Sequence, residues 1–143
     1  MVNFENLKLV ALGNPLLDMQ VRDGQDVLQK YGLKPNDAVL ASPEQLSIYE
    51  HLVENYQVTY VAGGAAQNTA RCAQYALPEG STAYLGCVGN DDLAQQLRAA
   101  NEREGLQSVY QVVNDTPTGS CAVVITGHDR SLCTNLGAAE KFD

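Results

Sequence analysis

The sequence predicts a mixed α/β fold in which a parallel sheet is accompanied by a separate β layer. Apolar runs typical of buried strands alternate with segments of helical periodicity, which is the pattern of βα units. Near the end of the chain the pattern changes, because two strand-like runs flank Gly127-His128-Asp129 and favour a hairpin. Parallel neighbours need a much longer connection, so the hairpin strands are expected in a second layer.

The first elements follow from turn residues that bracket short apolar runs. A strand is predicted at 7–12, because Gly13-Asn14-Pro15 closes it, and a second extended stretch follows at 16–21. A short helix is predicted at 24–31, where Gly32 ends it.

The next helix has the clearest start signals. Ser42 is a good N-cap, Pro43 suits the first helical position, and Gln45 completes a capping box. Apolar side chains then recur at helical spacing and predict one buried stripe. Its members are Leu46, Tyr49, Leu52, Val53 and Tyr56.

The middle of the chain repeats strand and helix. Strands are predicted at 57–61, 81–88 and 107–113, with helices at 64–76 and from a cap at Asn90 or Asp91 to Gly105. Asp91 and Asp92 are interpreted as that helix cap, with catalysis as the alternative. The final GAAEKFD indicates a helix start that is cut off, so the chain is expected to be incomplete.

Composition limits the classes of function. The 143 residues suit about one domain, and 45% apolar content can fill a core. A net charge of −8 argues against a general nucleic-acid binder, which needs basic patches. Glu5 and Lys8 interrupt the N-terminal apolar stretch, and no apolar run approaches the ~18 residues of a membrane helix. We expect no membrane partner and a cytoplasmic location, with the nucleus as the alternative.

The four cysteines contain no CxxC pair. They are Cys72, Cys87, Cys121 and Cys133. Buried free thiols in a reducing compartment are the favoured interpretation, and disulfides or zinc ligation are the alternatives.

A glycine pair and one extended segment that carries an aspartate are the candidate functional features. Gly63-Gly64 lies where a strand passes into a helix, which indicates either a plain turn or a close approach of a ligand to the backbone. In an extended segment, Asn14, Leu16 and Asp18 alternate onto one face. A carboxylate there suits the two neighbouring hydroxyls of a sugar diol, and the alternative is a solvated loop acid.

Six segments together resemble one known family. They are GNPLLD at 13–18, LKPNDAVLA at 33–41, AGGAAQN at 62–68, GCVGNDD at 86–92, PTGSCAVVIT at 117–126 and RSLCTNLGAA at 130–139. In this order they resemble the adenosine-kinase branch of the PfkB (ribokinase-like) carbohydrate kinase family over nearly the whole chain. AGGxxxN is typical of the family, whereas GNPLLD and LKPND indicate the adenosine-specific branch.

The resemblance implies a fold and a domain arrangement. The fold would be part of a ribokinase-like three-layer α/β/α sandwich with a small β-sheet lid. Residues 1–143 would form the N-terminal part of one kinase domain, without its C-terminal ATP-binding part. The lid strands would lie approximately in 16–22, 34–40, 57–61 and 119–136.

The resemblance also implies individual roles in binding adenosine. Asp18 matches the acid that takes the ribose 2′- and 3′-hydroxyls, and Asn68 matches a residue that hydrogen-bonds the sugar. Gly63 and Gly64 would approach the diol through their backbone, so a side chain at Gly64 would occupy the place of the diol. Asn14 matches a residue of the nucleoside site. Residues implied to pack the purine or to form the lid surface over it are Leu16, Leu40, Cys121, Leu132, Thr134 and Leu136.

Two positions depart from the family pattern. Ala65 stands where many relatives have serine, and Thr134 where a smaller residue is common. Either difference would alter affinity without removing a named donor or acceptor.

The implied reaction is ATP-dependent phosphorylation of the adenosine 5′-hydroxyl to AMP in purine salvage, with Mg²⁺ as the cofactor. Arg130 matches a lid arginine that moves toward the phosphates. The family takes its base and anion hole from a GAGD-type segment, which the chain lacks, as it lacks a Walker-type loop. The family's metal-associated Asn-x-x-Glu motif is also expected to be absent. No catalytic or metal-binding residue is therefore assigned, and the 143 residues alone are expected to be inactive.

The complete protein is expected to be monomeric, with adenosine and ATP as partners and no nucleic acid. One alternative is another nucleoside or sugar kinase of the family, such as a ribokinase. The other alternative is a non-catalytic nucleoside-binding or regulatory fragment.

Overall fold

Two sheets organise the chain, and the computed structural model describes them over residues 5–143. The strands and helices are β1 (Leu9–Leu12), β2 (Leu16–Arg22), α1 (Gln25–Tyr31), β3 (Ala38–Leu40), α2 (Ile48–Asn55), β4 (Thr59–Gly63), α3 (Ala65–Ala76), β5 (Thr82–Gly89), α4 (Asp92–Arg103), β6 (Gln107–Val113), β7 (Ser120–Thr126) and β8 (Asp129–Asn135). Short 3₁₀ turns lie at Pro43–Gln45 and Gly137–Lys141. The predicted mixed α/β fold is confirmed.

The chain divides into two units. Within the described residues, the first unit comprises the chain up to Leu17 together with Ala62–Gly119 and Leu136–Asp143. The second unit comprises Asp18–Val61 and Ser120–Asn135.

The first unit contains a parallel sheet in the order β1-β5-β6. Helices α3 and α4 pack against its strands. The buried face of α4 consists chiefly of small and apolar side chains, whereas that of α3 combines Ala70 with Gln67 and Gln74. The side chain of Asp91 accepts a hydrogen bond from the Ala94 backbone N–H at 2.9 Å and caps α4. This confirms the predicted cap, and Leu97 and Ala100 are buried as expected from the helical spacing.

The second unit is built on five strands in the order β3-β8-β7-β2-β4. Strands β7 and β8 pair antiparallel from Ser120↔Asn135 to Thr126↔Asp129, so Gly127 and His128 form a two-residue hairpin loop. The predicted hairpin is confirmed. Helices α1 and α2 cover one face of this sheet. The buried residues of that core are Val21, Val27, Leu28, Tyr31, Ile48, Leu52, Ala122, Val124 and Cys133.

The buried stripe predicted after Ser42 is partly wrong. Ser42 and Gln45 do interact, since the Ser42 N–H donates to Gln45 Oε1 at 3.0 Å, but the turn they close is 3₁₀ and α2 begins only at Ile48. This late start changes which side chains face the core. Ile48 and Leu52 are fully buried, whereas Leu46 and Val53 are 45% and 53% exposed.

Three of the four cysteines are buried, and all four are free thiols. Cys72 is exposed, contrary to the expectation, because the buried face of α3 is formed by Gln67, Ala70 and Gln74 and Cys72 lies on the opposite side. Across residues 5–143, no helix combines the length and apolar character needed to cross a membrane.

Candidate functional site

The glycine pair of the first unit forms a tight turn between β4 and α3. Gly63 is the last residue of β4, and Gly64 stands immediately before α3 with a φ of +89°. A φ in this range is readily adopted only by glycine. The backbone conformation is therefore sufficient by itself to require glycine at position 64.

The expectation that a Gly64 side chain would occupy a ligand's place is wrong. A Cβ at Gly64 would strike the backbone oxygen of Asn14, closer than any real contact allows. The side-chain direction points into the protein, because the loop after β1 passes directly beneath the turn. Only the polar backbone groups of the turn remain available to a ligand.

Asn14, Leu16 and Leu136 come from two further segments of the first unit. A Cβ at Gly119 would lie 2.6 Å from both Leu16 Cδ2 and the Leu136 carbonyl oxygen, so these two residues flank Gly119. The Leu17 N–H donates to the Gly119 carbonyl at 3.0 Å and holds the segment in place. Asn14 is exposed, and Leu16 and Leu136 are half-buried.

Asn68 lies one helical turn after Gly64 and is exposed. Its backbone N–H donates to the Gly64 carbonyl at 2.9 Å, which places it in the first turn of α3. The adjacent Gln67 is fully buried, and its Nε2 donates to the Gly63 carbonyl at 2.9 Å. Helix α3 thus holds the carbonyl groups of both Gly63 and Gly64.

The second unit places its predicted residues on a single sheet face. Strand pairing aligns Cys121 with Thr134 and Val123 with Leu132, and the side chains of paired residues share a face. Leu40 of β3 pairs with Thr134, and Arg130 pairs with Ile125. Alternation along β2 puts Asp18 on the side away from the buried Val21. This face, opposite α1 and α2, is called the helix-free face, and its residues are Asp18, Leu40, Cys121, Arg130, Leu132 and Thr134.

Asp18 is half-buried on the helix-free face. Burial raises the pKa of its carboxyl group above the ordinary value, and the positive charge of Arg130 partly opposes that rise. Among residues 5–143, no group donates a hydrogen bond to the Asp18 carboxylate. A half-buried carboxylate without donors is costly, so the side chain is suited to a ligand that supplies them.

Cys121 and Thr134 form a polar contact on the same face. The Thr134 hydroxyl donates to Cys121 Sγ at 3.1 Å. Burial raises the pKa of the Cys121 thiol to about 11, so the sulfur stays protonated at neutral pH. Cys121 is therefore suited to packing and not to nucleophilic chemistry.

The remaining residues of the helix-free face differ in exposure. Leu40 is 66% exposed, and Leu132 is half-buried. Arg130 is exposed near the hairpin end. The face thus combines an apolar surface with the carboxylate of Asp18 and the exposed cation of Arg130. Such a combination suits a polar molecule that has an aromatic or apolar part.

The described residues do not fit a bound metal. No three His, Cys, Asp or Glu side chains between residues 5 and 143 could share a metal ion. The expectation that an Asn-x-x-Glu motif is absent is wrong as to spacing, because Asn101 and Glu104 have it. However, Asn101 is fully buried and Glu104 forms an ion pair with Arg71, so both are used in packing α4.

The predicted residues therefore fall into one set in each unit. Six belong to the first unit, namely Asn14, Leu16, Gly63, Gly64, Asn68 and Leu136, and the other six form the helix-free face of the second. Their roles remain predictions. Sequence reasoning missed Gln67 and Arg71, whose i, i+4 spacing on α3 next to the glycine pair was the available signal.

Comparisons with known proteins identify the family of this chain. The pattern of the pfkB family carbohydrate kinase matches residues 26–143. An adenosine kinase of Schizophyllum commune is 62% identical over 136 residues, which are 95% of this chain and 40% of that protein. The chain thus spans about 40% of the length of the curated relatives it matches.

Solved structures show the same fold. Anopheles gambiae adenosine kinase, in complex with P1,P4-di(adenosine-5) tetraphosphate, superposes with a TM-score of 0.90 at 44% identity, over 94% of this chain and 41% of that one. Schistosoma mansoni adenosine kinase, in complex with adenosine in an occluded loop conformation, gives 0.86 at 29% identity over 94% of this chain and 39% of that one. The folded chain therefore corresponds to one part of such a structure.

Proposed function

The chain belongs to the pfkB family of carbohydrate kinases, and from this premise we propose that it carries the acceptor-binding residues of an adenosine kinase. The three proteins compared above are adenosine kinases, and one of the two solved structures is a complex with adenosine. The reaction proposed for the full-length protein is transfer of the γ-phosphoryl group of ATP to the adenosine 5′-hydroxyl. Such a role belongs to purine salvage, and we propose a cytoplasmic monomer.

The Asp18 carboxylate is the single observation that carries this proposal. It is held half-buried with no hydrogen-bond donor among residues 5–143, and its pKa is raised by that burial. Two adjacent hydroxyls of a ribose would each donate to one carboxylate oxygen and remove the electrostatic cost. The exposed Leu40 and half-buried Leu132 on the same face offer an apolar surface to the purine ring.

The remaining roles follow the two sets of residues. We propose that Asn68 and the backbone of Gly63 and Gly64 contact the sugar, and that Asn14 contacts the nucleoside. The residues proposed to pack the purine or to form the lid surface over it are Leu16, Leu40, Cys121, Leu132, Thr134 and Leu136. Arg130 is proposed to approach the phosphates of ATP, where a guanidinium can pair with two oxygens.

Phosphoryl transfer needs several groups, and the described residues are proposed to supply only some of them. Mg²⁺, when bound with ATP, neutralises charge on the transferring phosphoryl group. The described residues offer no metal site, so their proposed contribution is to bind the acceptor and to orient its 5′-hydroxyl. Positioning alone leaves the transition-state charge unstabilised, so residues 1–143 alone are predicted not to turn over.

Calorimetry on the full-length protein tests the proposed function. Adenosine should bind, and 2′-deoxyadenosine should bind more weakly, because it lacks one donor to Asp18. A coupled assay with ATP and Mg²⁺ should then show AMP formation by the full-length protein and none by residues 1–143. Preference for a free sugar over adenosine would indicate another kinase of the family, and binding without turnover would indicate a non-catalytic module.

A further inference from the structure

Arg71 of α3 is fixed in place by a bidentate ion pair. Its Nε and one terminal nitrogen donate to the two carboxylate oxygens of Glu104, each at 2.7 Å. The two side chains are 20% and 41% exposed, so the pair is only partly open to solvent. Parallel hydrogen bonds of this kind define the plane of the guanidinium as well as its position.

The other terminal nitrogen of Arg71 points back to the glycine turn. It donates to the Ala62 carbonyl at 2.7 Å and to Asn68 Oδ1 at 3.3 Å. Ala62 precedes Gly63, whose own carbonyl is held by Gln67. Two consecutive carbonyls at the end of β4 are therefore held by side chains one turn apart on α3.

The contact with Arg71 determines which end of the Asn68 amide is exposed. A guanidinium has only donors, so the Asn68 side chain must turn its oxygen toward Arg71. Its amino group then faces away from Arg71, on a side chain that is exposed to solvent. Asn68 consequently presents a hydrogen-bond donor, whereas a freely rotating amide would present either end.

A second group of buried side chains supports the same turn. The Tyr110 hydroxyl donates to Gln67 Oε1, and Asn101 Nδ2 donates to the same oxygen at 3.3 Å and to the Tyr110 oxygen at 2.9 Å. Gln67 and Asn101 are fully buried. Since this network holds Gly63 without Arg71, the loss of Arg71 should leave the turn folded and affect chiefly Asn68 and Ala62.

We propose that Arg71, anchored by Glu104, is a positioning residue that orients Asn68 to donate to a hydroxyl oxygen of the bound nucleoside. The inference rests on the proposed function, because it names how one residue of that site is set. It assigns Arg71 no contact with the nucleoside. Its effect on binding should therefore pass through Asn68.

A double-mutant cycle in the full-length protein tests this route. Calorimetry with adenosine would compare the unmodified protein with Arg71→Met, Asn68→Ala and the double variant. Arg71→Met should weaken binding on the order of tenfold, since a charge-assisted hydrogen bond orients the donor. In the Asn68→Ala background the same change should cost less than about twofold, because no amide remains to be oriented.

Two further variants keep the test decisive. Glu104→Gln should weaken binding in the same direction, because it removes the anchor without removing bulk, and Arg71→Lys should recover only part of the loss. The exposed Glu102→Gln is the matched control on the same helix end, and it should change nothing.

An equal loss from Arg71→Met in both backgrounds, or no loss at all, would overturn the positioning role while adenosine binding by the unmodified protein still stands. If the unmodified protein binds no adenosine, the proposed function fails first and the inference fails with it.

Discussion

The turn of the first unit and the helix-free face of the second are built on opposite principles. Around Gly63 and Gly64, carbonyls are held by Gln67 and Arg71, and a glycine is required by both φ and space. On the helix-free face, Asp18 accepts no hydrogen bond from the part of the chain that the structure describes, and Leu40 is 66% exposed. In the first region the carbonyls at the end of β4 are held within the protein, whereas on the helix-free face the Asp18 carboxylate is left for a ligand.

This difference predicts how each region responds to mutation. Where backbone conformation and space are already used, as at Gly64, a substitution should reduce the free energy of unfolding, and a loss of binding would follow from that loss of stability. Where groups are left unsatisfied, a substitution should reduce affinity and leave stability unchanged or slightly higher. Four substitutions or titrations test that contrast.

The largest effect is expected from Gly64→Val. A β-branched side chain at a φ of +89° is strained, and its Cβ would strike the Asn14 backbone. Together these should cost about 3–5 kcal/mol of unfolding free energy. Urea unfolding followed by circular dichroism measures this directly.

Gly32→Ala is the matched control for Gly64→Val. Gly32 has a φ of +63°, but nothing lies within 4 Å of a Cβ built there. It should cost only about 1 kcal/mol, the cost of the backbone conformation alone. Equal losses at both positions would show that the Asn14 contact adds nothing.

The second effect is a loss of affinity at Asp18. Asp18→Ala in the full-length protein should weaken adenosine binding by about 3 kcal/mol, since two charge-assisted hydrogen bonds to the diol vanish. Stability should not fall, because the variant also removes a partly desolvated carboxylate. Calorimetry with adenosine and 2′-deoxyadenosine measures the loss of affinity and shows whether it comes from the diol.

The exposed Asp23→Asn is the control for Asp18, and it should change neither affinity nor stability. If the Asp18→Ala variant still prefers adenosine over 2′-deoxyadenosine as strongly as the unmodified protein does, another residue binds the diol.

A smaller effect is expected from Leu40→Ala. The side chain is 66% exposed in the absence of a ligand, so its truncation should change the unfolding free energy by less than about 0.5 kcal/mol. If the purine covers it, binding should weaken by about 1 kcal/mol through lost apolar burial. Leu52→Ala, at a fully buried position of the same unit, should show the reverse, with a stability loss of about 2–5 kcal/mol.

The same contrast explains what could be predicted from the sequence. Elements set by neighbouring residues were predictable, such as the Asp91 cap of α4 and the Gly127–His128 hairpin loop. The alternation along β2 likewise predicted which side of the strand Asp18 occupies. These signals are local, so they do not depend on the rest of the fold.

The sequence could not show interactions that join distant segments. Arg71 and Glu104 are 33 residues apart, and Gln67 and Tyr110 are 43 apart. Nothing in their local sequence indicates that they meet. The direction of a Cβ at Gly64 is a similar case, because the neighbour that it would strike comes from the loop after β1.

The smallest effect near neutral pH is expected in the pH dependence of binding. Burial raises the pKa of Asp18 in the unliganded protein, and the Arg130 charge only partly opposes this. A diol that donates to the carboxylate favours its ionised form, so the pKa in the complex should be lower than in the free protein. Affinity should therefore be constant above the raised pKa and fall as the pH decreases through it, with a slope approaching tenfold per pH unit.

Asp18→Asn separates this titration from others in the system. The amide does not titrate, so the variant should bind weakly with an affinity that does not follow this fall, and any titration of the nucleoside itself would appear equally in both proteins. Calorimetry at a series of pH values measures the two curves. Parallel curves would mean that the Asp18 carboxylate does not gain donors from the ligand, and the helix-free face would then be no more dependent on a ligand than the glycine turn.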